Sequence, residues 1–222
     1  MHFKGMLFDL DGTLVNSLDA VEATWGEWAD RRGLDRATVQ HYVHGKPALS
    51  VLRHFMPEAS SETIAKEFSQ LETYESSHTD GITPVPGAVA FLTHLNQISA
   101  PWAVVTSGSL KVAAARIRQA SLPFPDVLIT SENVQQGKPH PEPFLLGASQ
   151  LGLPAYSCVA FEDSGAGLTS ARQAGCVVIE LLTPQSVIHD METYLTITDY
   201  HCLSTQRKNG DDFLLTVLNA EF

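Results

Sequence analysis

The chain alternates short, continuously apolar runs with longer stretches whose apolar residues recur at helical spacing. The apolar runs are GMLFDL (5–10), WAVVT (102–106), DVLIT (126–130), CVAFE (158–162) and CVVIEL (176–181). Runs without polar alternation are typical of strands buried on both faces of a parallel sheet. Helical patterns lie between them, at about 88–97, 109–120, 142–151 and 165–174. This alternation predicts an open α/β fold, a parallel sheet with helices on both faces.

The interval between the first and second strands breaks this rhythm, because residues from about 17 to 83 carry only helical patterns. Apolar residues recur there at steps of three and four: Leu18, Val21, Trp25 and Trp28 first, then Ile64, Phe68, Leu71 and Tyr74. A crossover between parallel strands needs only about a dozen residues, so this length predicts an inserted helical bundle. The stiff turn TPVPG (83–87) marks the return of the chain. We expect a core domain of residues 1–16 and 84–222 and a helical cap of residues 17–83.

The segment after Leu182 is less regular than the rest of the chain. We expect a short strand near 198–202 and a helix near 211–219. Neither element carries a candidate functional residue.

Composition and charge narrow the class of protein. The chain has 222 residues, of which 44% are hydrophobic and 18% charged, as in folded water-soluble domains. Its formal net charge is −11 and its Lys and Arg residues are scattered, so we expect neither nucleic acid nor a membrane as a partner. Three cysteines without metal-ligand spacing, together with the lack of a signal-peptide pattern, predict a cytoplasmic protein.

Polar side chains follow several of the predicted strands, at the edge where ligands bind in open α/β sheets. These residues are Asp9 and Asp11 after the first strand, Thr106 after the second, Lys138 in the GKPHPEPF loop (137–144), and Glu162 and Asp163 around the end of CVAFE. Carboxylates crowded into a low-dielectric cleft repel one another, and a divalent cation with oxygen ligands relieves that repulsion. The hydroxyl and backbone N–H of Thr106, with a helix starting near Ser109, predict a phosphate seat. The site therefore favours Mg²⁺-assisted phosphoryl transfer.

An aspartate is a competent nucleophile in such chemistry, because it is ionised at neutral pH without a general base. One carboxylate attacks phosphorus and forms an aspartyl-phosphate. The second protonates the leaving alkoxide and then takes a proton from the hydrolytic water. We expect Asp9, at the strand end, to be the nucleophile and Asp11, on the turn, to be the acid/base.

Four segments resemble the motifs of the haloacid dehalogenase superfamily in sequence, order and spacing. They are DLDGT (9–13), VVTSG (104–108), GKPHPEPF (137–144) and FEDSGAGLTSARQAG (161–175). The helical insert is similar to the α-helical cap of that superfamily. The resemblance implies a Rossmann-like core with an inserted helical cap, and it covers the whole predicted core.

The same resemblance implies a role for each matching residue. It makes Asp9 the nucleophile and Asp11 the acid/base, and it places Lys138 between the nucleophile and the phosphate. The implied phosphate-binding residues are Thr106, Ser107 and Gly108. The implied Mg²⁺ ligands are Asp9, the backbone carbonyl of Asp11, Asp163, and Glu162 either directly or through a water.

The second aspartate separates the reaction types found in that superfamily. Its dehalogenases lack an acid/base at this position, since a halide leaving group needs no proton, so Asp11 favours a phosphate ester. Its phosphonatases use a cap lysine, whereas Lys46 lies in a stretch that looks more like the specificity loop of sugar phosphatases. The main alternative is a sugar phosphomutase of the β-phosphoglucomutase type, which carries a cap histidine where this chain has Val21. We favour a phosphatase of hexose or deoxyhexose phosphates.

The cap is expected to select the substrate. The resemblance places a specificity loop at Gly45 and Lys46, while His44 and Arg53 fit either a substrate contact or a solvated helix end. Hinges are expected near Val15–Ser17 and Pro84–Gly87, so that the cap closes to exclude water and opens to release product. We expect a monomer that binds a small phosphorylated sugar. A catalytically inactive binding protein is disfavoured, because all the expected chemical residues are present.

Overall fold

The computed structural model describes residues 1–43, 45–182 and 193–218. Its helices are α1 Leu18–Arg32, α2 Arg36–Val43, α3 Ala48–Phe55, α4 Ser61–Ser77, α5 Ala88–Gln97, α6 Leu110–Gln119, α7 Glu142–Gln150 and α8 Gly165–Gln173. Its strands are β1 His2–Phe3, β2 Gly5–Phe8, β3 Val15–Asn16, β4 Thr83–Pro84, β5 Trp102–Val105, β6 Val127–Ile129, β7 Cys158–Glu162, β8 Val177–Leu181, β9 Leu195–Ile197, β10 Leu203–Arg207 and β11 Phe213–Val217. Within these ranges, no helix combines the length and the apolar character needed to cross a lipid bilayer.

Six strands form one sheet in the order β6-β5-β2-β7-β8-β9, and each neighbouring pair is parallel. All five strands predicted from apolar runs are present in it, and α5 to α8 lie where helical patterns predicted them. The open α/β fold is therefore confirmed. Because β2 lies between β5 and β7, the residues that follow these three strands meet at one edge of the sheet.

The two faces of the sheet bury alternate residues of each central strand. Leu7 packs on one face against Phe144 of α7 and Leu168 of α8. Its neighbour Phe8 packs on the opposite face and stacks on Phe161, with ring centroids 4.6 Å apart. Full burial of such a side chain contributes about 1.5–3 kcal/mol. The carboxyl end of β2 is therefore anchored from both sides.

The inserted segment folds into the predicted helical bundle, α1 to α4, around its own apolar cluster. Trp25 and Trp28 lie at the centre of that cluster, with ring centroids 5.5 Å apart in an edge-to-face arrangement. The chain enters the bundle through β3 and leaves it through β4. These two short strands pair antiparallel, so the two connections are hydrogen-bonded to each other.

The predictions for the C-terminal segment are wrong in detail. The expected helix near 211–219 is instead β11, which pairs antiparallel with β10 and β1, and residue 219 lies outside the described residues. Phe213 and Leu215 are buried at a period of two, and Gly210 takes a φ of 66° in the hairpin turn before them. The expected strand near 198–202 is the turn between β9 and β10. Pairing of β11 with β1, at the opposite end of the chain, decides this structure.

Candidate active site

Asp9 stands at the carboxyl end of the central strand, directly after Phe8. Its backbone N–H donates to the Phe161 carbonyl at 2.9 Å, which extends the pairing of β2 and β7 by one residue. Its side chain is almost fully buried, with 7% of the residue exposed. A carboxylate in such a position needs charged or hydrogen-bonding partners.

Lys138 is the principal partner of Asp9. Its Nζ donates to Asp9 Oδ1 at 2.6 Å, to Glu162 Oε1 at 2.5 Å and to the Val105 carbonyl at 2.8 Å. The ammonium therefore uses its three N–H donors on groups that follow or end three central strands. Lys138 thus contacts Asp9, the expected nucleophile, and its expected contact with a phosphate stays a prediction.

Glu162, the last residue of β7, is fully buried and binds both Lys138 and the turn that follows β7. Its Oε1 accepts from Lys138, and its Oε2 accepts from the backbone N–H groups of Asp163 and Ser164, both at 3.1 Å. The Ser164 hydroxyl also donates to Oε2, at 3.0 Å. Gly167 makes room for the carboxylate, because a Cβ at that residue would lie 1.8 Å from Glu162 Oε1. Both oxygens of Glu162 thus already accept hydrogen bonds from the protein.

Asp163 faces Asp9 across the turn that follows β2. Its Oδ1 accepts from the Thr13 hydroxyl at 3.3 Å. Gly12 takes a φ of 84°, and a Cβ there would lie 2.0 Å from Asp163 Oδ2, so only glycine lets this turn pass the carboxylate. Oxygen atoms of Asp9, Glu162 and Asp163 all lie within 4.8 Å of one another, an arrangement that could hold a metal ion.

The charges of this cluster are not balanced by Lys138 alone. Burial raises the pKa of Asp9 to about 7, against the opposing effect of Lys138 and with added repulsion from Glu162 and Asp11. Burial also raises the pKa of Asp163, with repulsion from Asp9 and Glu162. Burial alone would lower the pKa of Lys138, but Asp9 and Glu162 outweigh it and raise that pKa above its ordinary value. A further cation would favour the ionised carboxylates.

The predicted phosphate seat lies beside Asp9, but its donors differ from expectation. The backbone N–H of Thr106 continues the pairing of β5 and β6 by donating to the Ile129 carbonyl at 2.9 Å, so it does not face the site. The Thr106 hydroxyl oxygen accepts from Gly108 N–H at 3.0 Å, which leaves its own proton to be donated. At the start of α6, Leu110 N–H donates to the Glu132 carboxylate, so this carboxylate already occupies part of the helix terminus.

Asp11 is held by residues that the sequence reasoning missed. Its Oδ1 accepts from the Ser17 hydroxyl at 2.5 Å, and its Oδ2 accepts from Arg116 Nη1 at 2.6 Å. Arg116 also approaches Glu75 of α4, with 3.4 Å between Nη2 and Oε1. A signal for Arg116 was available, because it falls on the apolar stripe of α6 between Ala113 and Ile117, where a charged side chain needs a buried partner.

The predicted specificity loop reaches the core. The Gly45 carbonyl accepts from the Ser107 hydroxyl at 3.2 Å. Lys46 Nζ donates to the Tyr42 carbonyl at 2.9 Å and lies 3.5 Å from the centre of the Tyr42 ring, so its ammonium folds back onto the end of α2. Arg53 is exposed on α3 and is not among the residues that line the cavity described next. His44 lies outside the described residues.

A cavity of about 540 Å³ lies between the insert and the sheet edge. The predicted residues that line it are Asp9, Asp11, Gly45, Lys46, Thr106, Ser107, Gly108 and Asp163. Lys138 and Glu162 lie beneath it as fully buried partners of Asp9 and Asp163. The volume suits a small molecule.

Comparisons with known proteins agree with this geometry. A family model described as a haloacid dehalogenase-like hydrolase matches residues 3–175. The chain is 49% identical over 212 residues to hexitol phosphatase A of Escherichia coli (strain K12), covering 95% of this chain and 98% of that protein. It is 34% identical over 193 residues to glycerol-1-phosphate phosphohydrolase 1 of Saccharomyces cerevisiae, covering 82% and 76%. A crystal structure of CbbY from Rhodobacter sphaeroides in complex with phosphate has the same fold, with a TM-score of 0.80 at 21% identity, covering 89% and 95%.

Proposed function

This chain belongs to the haloacid dehalogenase-like hydrolases as a phosphoric monoester hydrolase, and on that premise we propose that it is a Mg²⁺-dependent phosphatase of small sugar and polyol monophosphates. The observation that carries the proposal is the buried contact between Asp9 and Lys138 at the end of the central strand, with Asp11 two residues further along the same turn. Hexose and deoxyhexose phosphates are the substrates we expected from the sequence, and the names of the relatives extend the class to hexitol and glycerol phosphates.

The donor set fits a hard divalent cation, because it consists of carboxylate oxygens that exceed the positive charge available from Lys138. Asp9, Asp163 and the backbone carbonyl of Asp11 would hold Mg²⁺. We assign Glu162 to holding Lys138 and the turn at Asp163, since both of its oxygens already accept hydrogen bonds. When bound, Mg²⁺ would neutralise charge shared by the carboxylates and the phosphate.

The reaction then follows from the positions of two carboxylates. An oxygen of Asp9 attacks phosphorus, the ester P–O bond breaks, and Asp11 gives its proton to the leaving oxygen. Asp11 next takes a proton from a water, whose oxygen attacks the phosphoryl group and breaks its bond to Asp9. Lys138 keeps Asp9 oriented in both steps. Ser17 and Arg116 each donate to one oxygen of Asp11, so the transferred proton must use a lone pair that these two contacts leave free.

We favour hydrolysis over a phosphomutase reaction for this chain. Val21, at the position where the resemblance places a mutase histidine, lines the cavity with an apolar side chain. Such a side chain offers no proton acceptor for a sugar hydroxyl that would take the phosphoryl group. The division into a core of residues 1–16 and 84–222 and a cap of residues 17–83 belongs to the same proposal, as does action as a cytoplasmic monomer.

A substrate panel tests this function. The protein is incubated with Mg²⁺ and hexose, deoxyhexose, hexitol and glycerol phosphates, and both free phosphate and the position of phosphate on recovered sugar are measured. We expect phosphate release that Asp9→Asn abolishes and that Asp126→Asn, a change at an exposed aspartate, preserves. Isomerised sugar without release would establish the mutase instead. The absence of both phosphate release and isomerised sugar for every ester would contradict both assignments.

A further inference from the structure

The two ends of the cavity are lined by different elements of the fold. Its core end contains Asp9, Asp163 and the Thr106 hydroxyl, where the phosphate and Mg²⁺ are placed. Its cap end is lined by one face of α4, which presents Glu72 and Glu75. The i, i+3 spacing puts these two carboxylates on adjacent turns of the same helix face.

Arg116 fixes the place of this face relative to the chemistry. Its guanidinium lies between Asp11 and Glu75, at 2.6 Å from Asp11 Oδ2 and 3.4 Å from Glu75 Oε1. Asp11 protonates the leaving oxygen, so it must lie on the side of phosphorus from which the alcohol departs. Glu75, one guanidinium away, is therefore a neighbour of the leaving group rather than of the phosphate.

Arg116 also shows that this part of the wall is built for a polar ligand. The residue is 5% exposed and lines the cavity, and its buried Nε has no hydrogen-bond partner among the residues of the described ranges. Two more bonds join α6 to α4 and to the residues after it, one near each end of α6. Lys111 Nζ donates to the Thr73 hydroxyl at 3.0 Å, and the Thr79 hydroxyl donates to Gln119 Oε1 at 3.3 Å. The face of α4 that carries Glu72 and Glu75 is thus held against the core rather than exposed to solvent.

The charges at this end favour a neutral ligand. Arg116 is shared between Asp11 and Glu75, and the bond from Lys46 to the neutral Tyr42 carbonyl leaves its ammonium charge in place. The insert contributes Glu22, Glu72 and Glu75 to the cavity wall, so these carboxylates outnumber the cations Lys46 and Arg116. Burial raises the pKa of Glu75, with Arg116 opposing it and Asp11 and Glu72 adding to it. Carboxylates accept hydrogen bonds from hydroxyl groups and repel a second anion.

We propose that Glu72 and Glu75 are specificity-determining residues that bind hydroxyl groups of a neutral polyol leaving group and exclude leaving groups carrying a second negative charge. This inference rests on the proposed phosphatase function. It limits the substrates to monophosphates of uncharged sugars and polyols, and it disfavours bisphosphates and phosphorylated sugar acids.

The test compares two substrates that differ only at the far end of the chain. Sorbitol 6-phosphate and 6-phosphogluconate share a six-carbon chain, but the second carries a carboxylate where the first has an alcohol. The readout is the ratio of kcat/KM for the two, because damage to the phosphoryl chemistry lowers both values alike. The variants are Glu72→Gln, Glu75→Gln and, as a matched control on the exposed face of α4, Glu62→Gln.

We expect the wild type to prefer the alcohol, and each of the two cavity variants to reduce that preference by about tenfold, chiefly through KM for the acid. Glu62→Gln should leave the ratio unchanged. Using both cavity variants keeps the test valid if the loss of one partner of Arg116 prevents Glu75→Gln from folding. A wild-type ratio near one, or a ratio that neither cavity variant changes, would overturn the inference while leaving the phosphatase intact. Failure to hydrolyse both substrates and p-nitrophenyl phosphate would overturn the phosphatase itself, and the inference with it.

Discussion

The core end and the cap end of the cavity are built in different ways. At the core end, one ammonium, Lys138, is bound by two carboxylates and a strand carbonyl, all buried and all fixed to the ends of neighbouring strands. At the cap end, separate contacts join the insert to the core, from Ser107 to Gly45, from Lys111 to Thr73 and from Arg116 to Glu75. Lys46 is bound to its own helix. The contrast indicates that phosphoryl chemistry depends on a buried, interlocked cluster, whereas substrate selection depends on a surface held by separate contacts between the insert and the core.

Replacing Lys138 should produce the largest effect, because it removes the cation that the core end shares. Lys138→Met leaves Glu162 buried without its counter-charge, which we expect to lower the free energy of unfolding by about 3–5 kcal/mol. Activity should fall by at least about 10³-fold, since Asp9 loses its orientation. Urea unfolding and phosphate release measure the two effects. Lys66→Met, at an exposed residue of α4, is the control, and equal behaviour of the two variants would refute the shared-cation account.

The next largest difference is expected between alanine substitutions at two helical glycines, Gly167 beside the core cluster and Gly26 in the insert. Gly167→Ala would place a Cβ 1.8 Å from the fully buried Glu162 carboxylate, so we expect a loss of about 1–3 kcal/mol and weaker activity. Gly26→Ala in α1 would meet the tip of Arg36, an exposed and flexible side chain that can move. Since alanine favours helix by about 1 kcal/mol over glycine, that variant should match or exceed wild-type stability. Thermal unfolding of both variants measures the difference, and equal losses would contradict it.

Removing the hydrogen bond between Ser107 and Gly45 should have a moderate effect. Ser107→Ala deletes the hydroxyl that donates to the Gly45 carbonyl, a contribution of about 0.5–1.5 kcal/mol. We expect kcat/KM to fall by about three- to tenfold, with unfolding little changed, because the bond closes the cap rather than holding the core. Steady-state kinetics beside Ser69→Ala, at an exposed serine of α4, provides the check. A loss as large as that of Lys138→Met would remove the distinction between the two ends.

The smallest effect is expected at Arg53, which the sequence offered as a possible substrate contact. The residue is exposed on α3 and is not among the cavity-lining residues. Arg53→Ala should change kcat and KM by less than about twofold, as is usual for a surface substitution. A tenfold rise in KM for the preferred sugar phosphate would show instead that the cap rearranges to bring this side chain to the substrate.

The core end was predictable from sequence because its residues directly follow apolar strand runs. Asp9, Thr106 and Glu162 each stand at the end of such a run, and parallel strands bring their ends together. The contact between Asp11 and Arg116 was not predicted, because Arg116 comes from a helix, and Glu75 meets Arg116 only through the docking of α4 on α6. The prediction for the C-terminal hairpin was wrong for a similar reason, since β11 pairs with β1, which lies far away in the sequence. The alternation of Phe213 and Leu215 covers too few residues to distinguish a strand from a helix without that pairing.

The central claim is that Asp9 carries the phosphoryl group during turnover. Asp11→Asn should slow hydrolysis of the aspartyl-phosphate, since it removes the base that activates water. Rapid acid quench of this variant with Mg²⁺ and p-nitrophenyl phosphate, whose leaving group departs without a proton from Asp11, is followed by peptide mass spectrometry, which identifies the phosphorylated residue. The account predicts one phosphoryl group on Asp9, absent from the Asp9→Asn, Asp11→Asn double variant. A phosphoryl group on another residue, or burst release of p-nitrophenolate without any phosphorylated peptide, would contradict it.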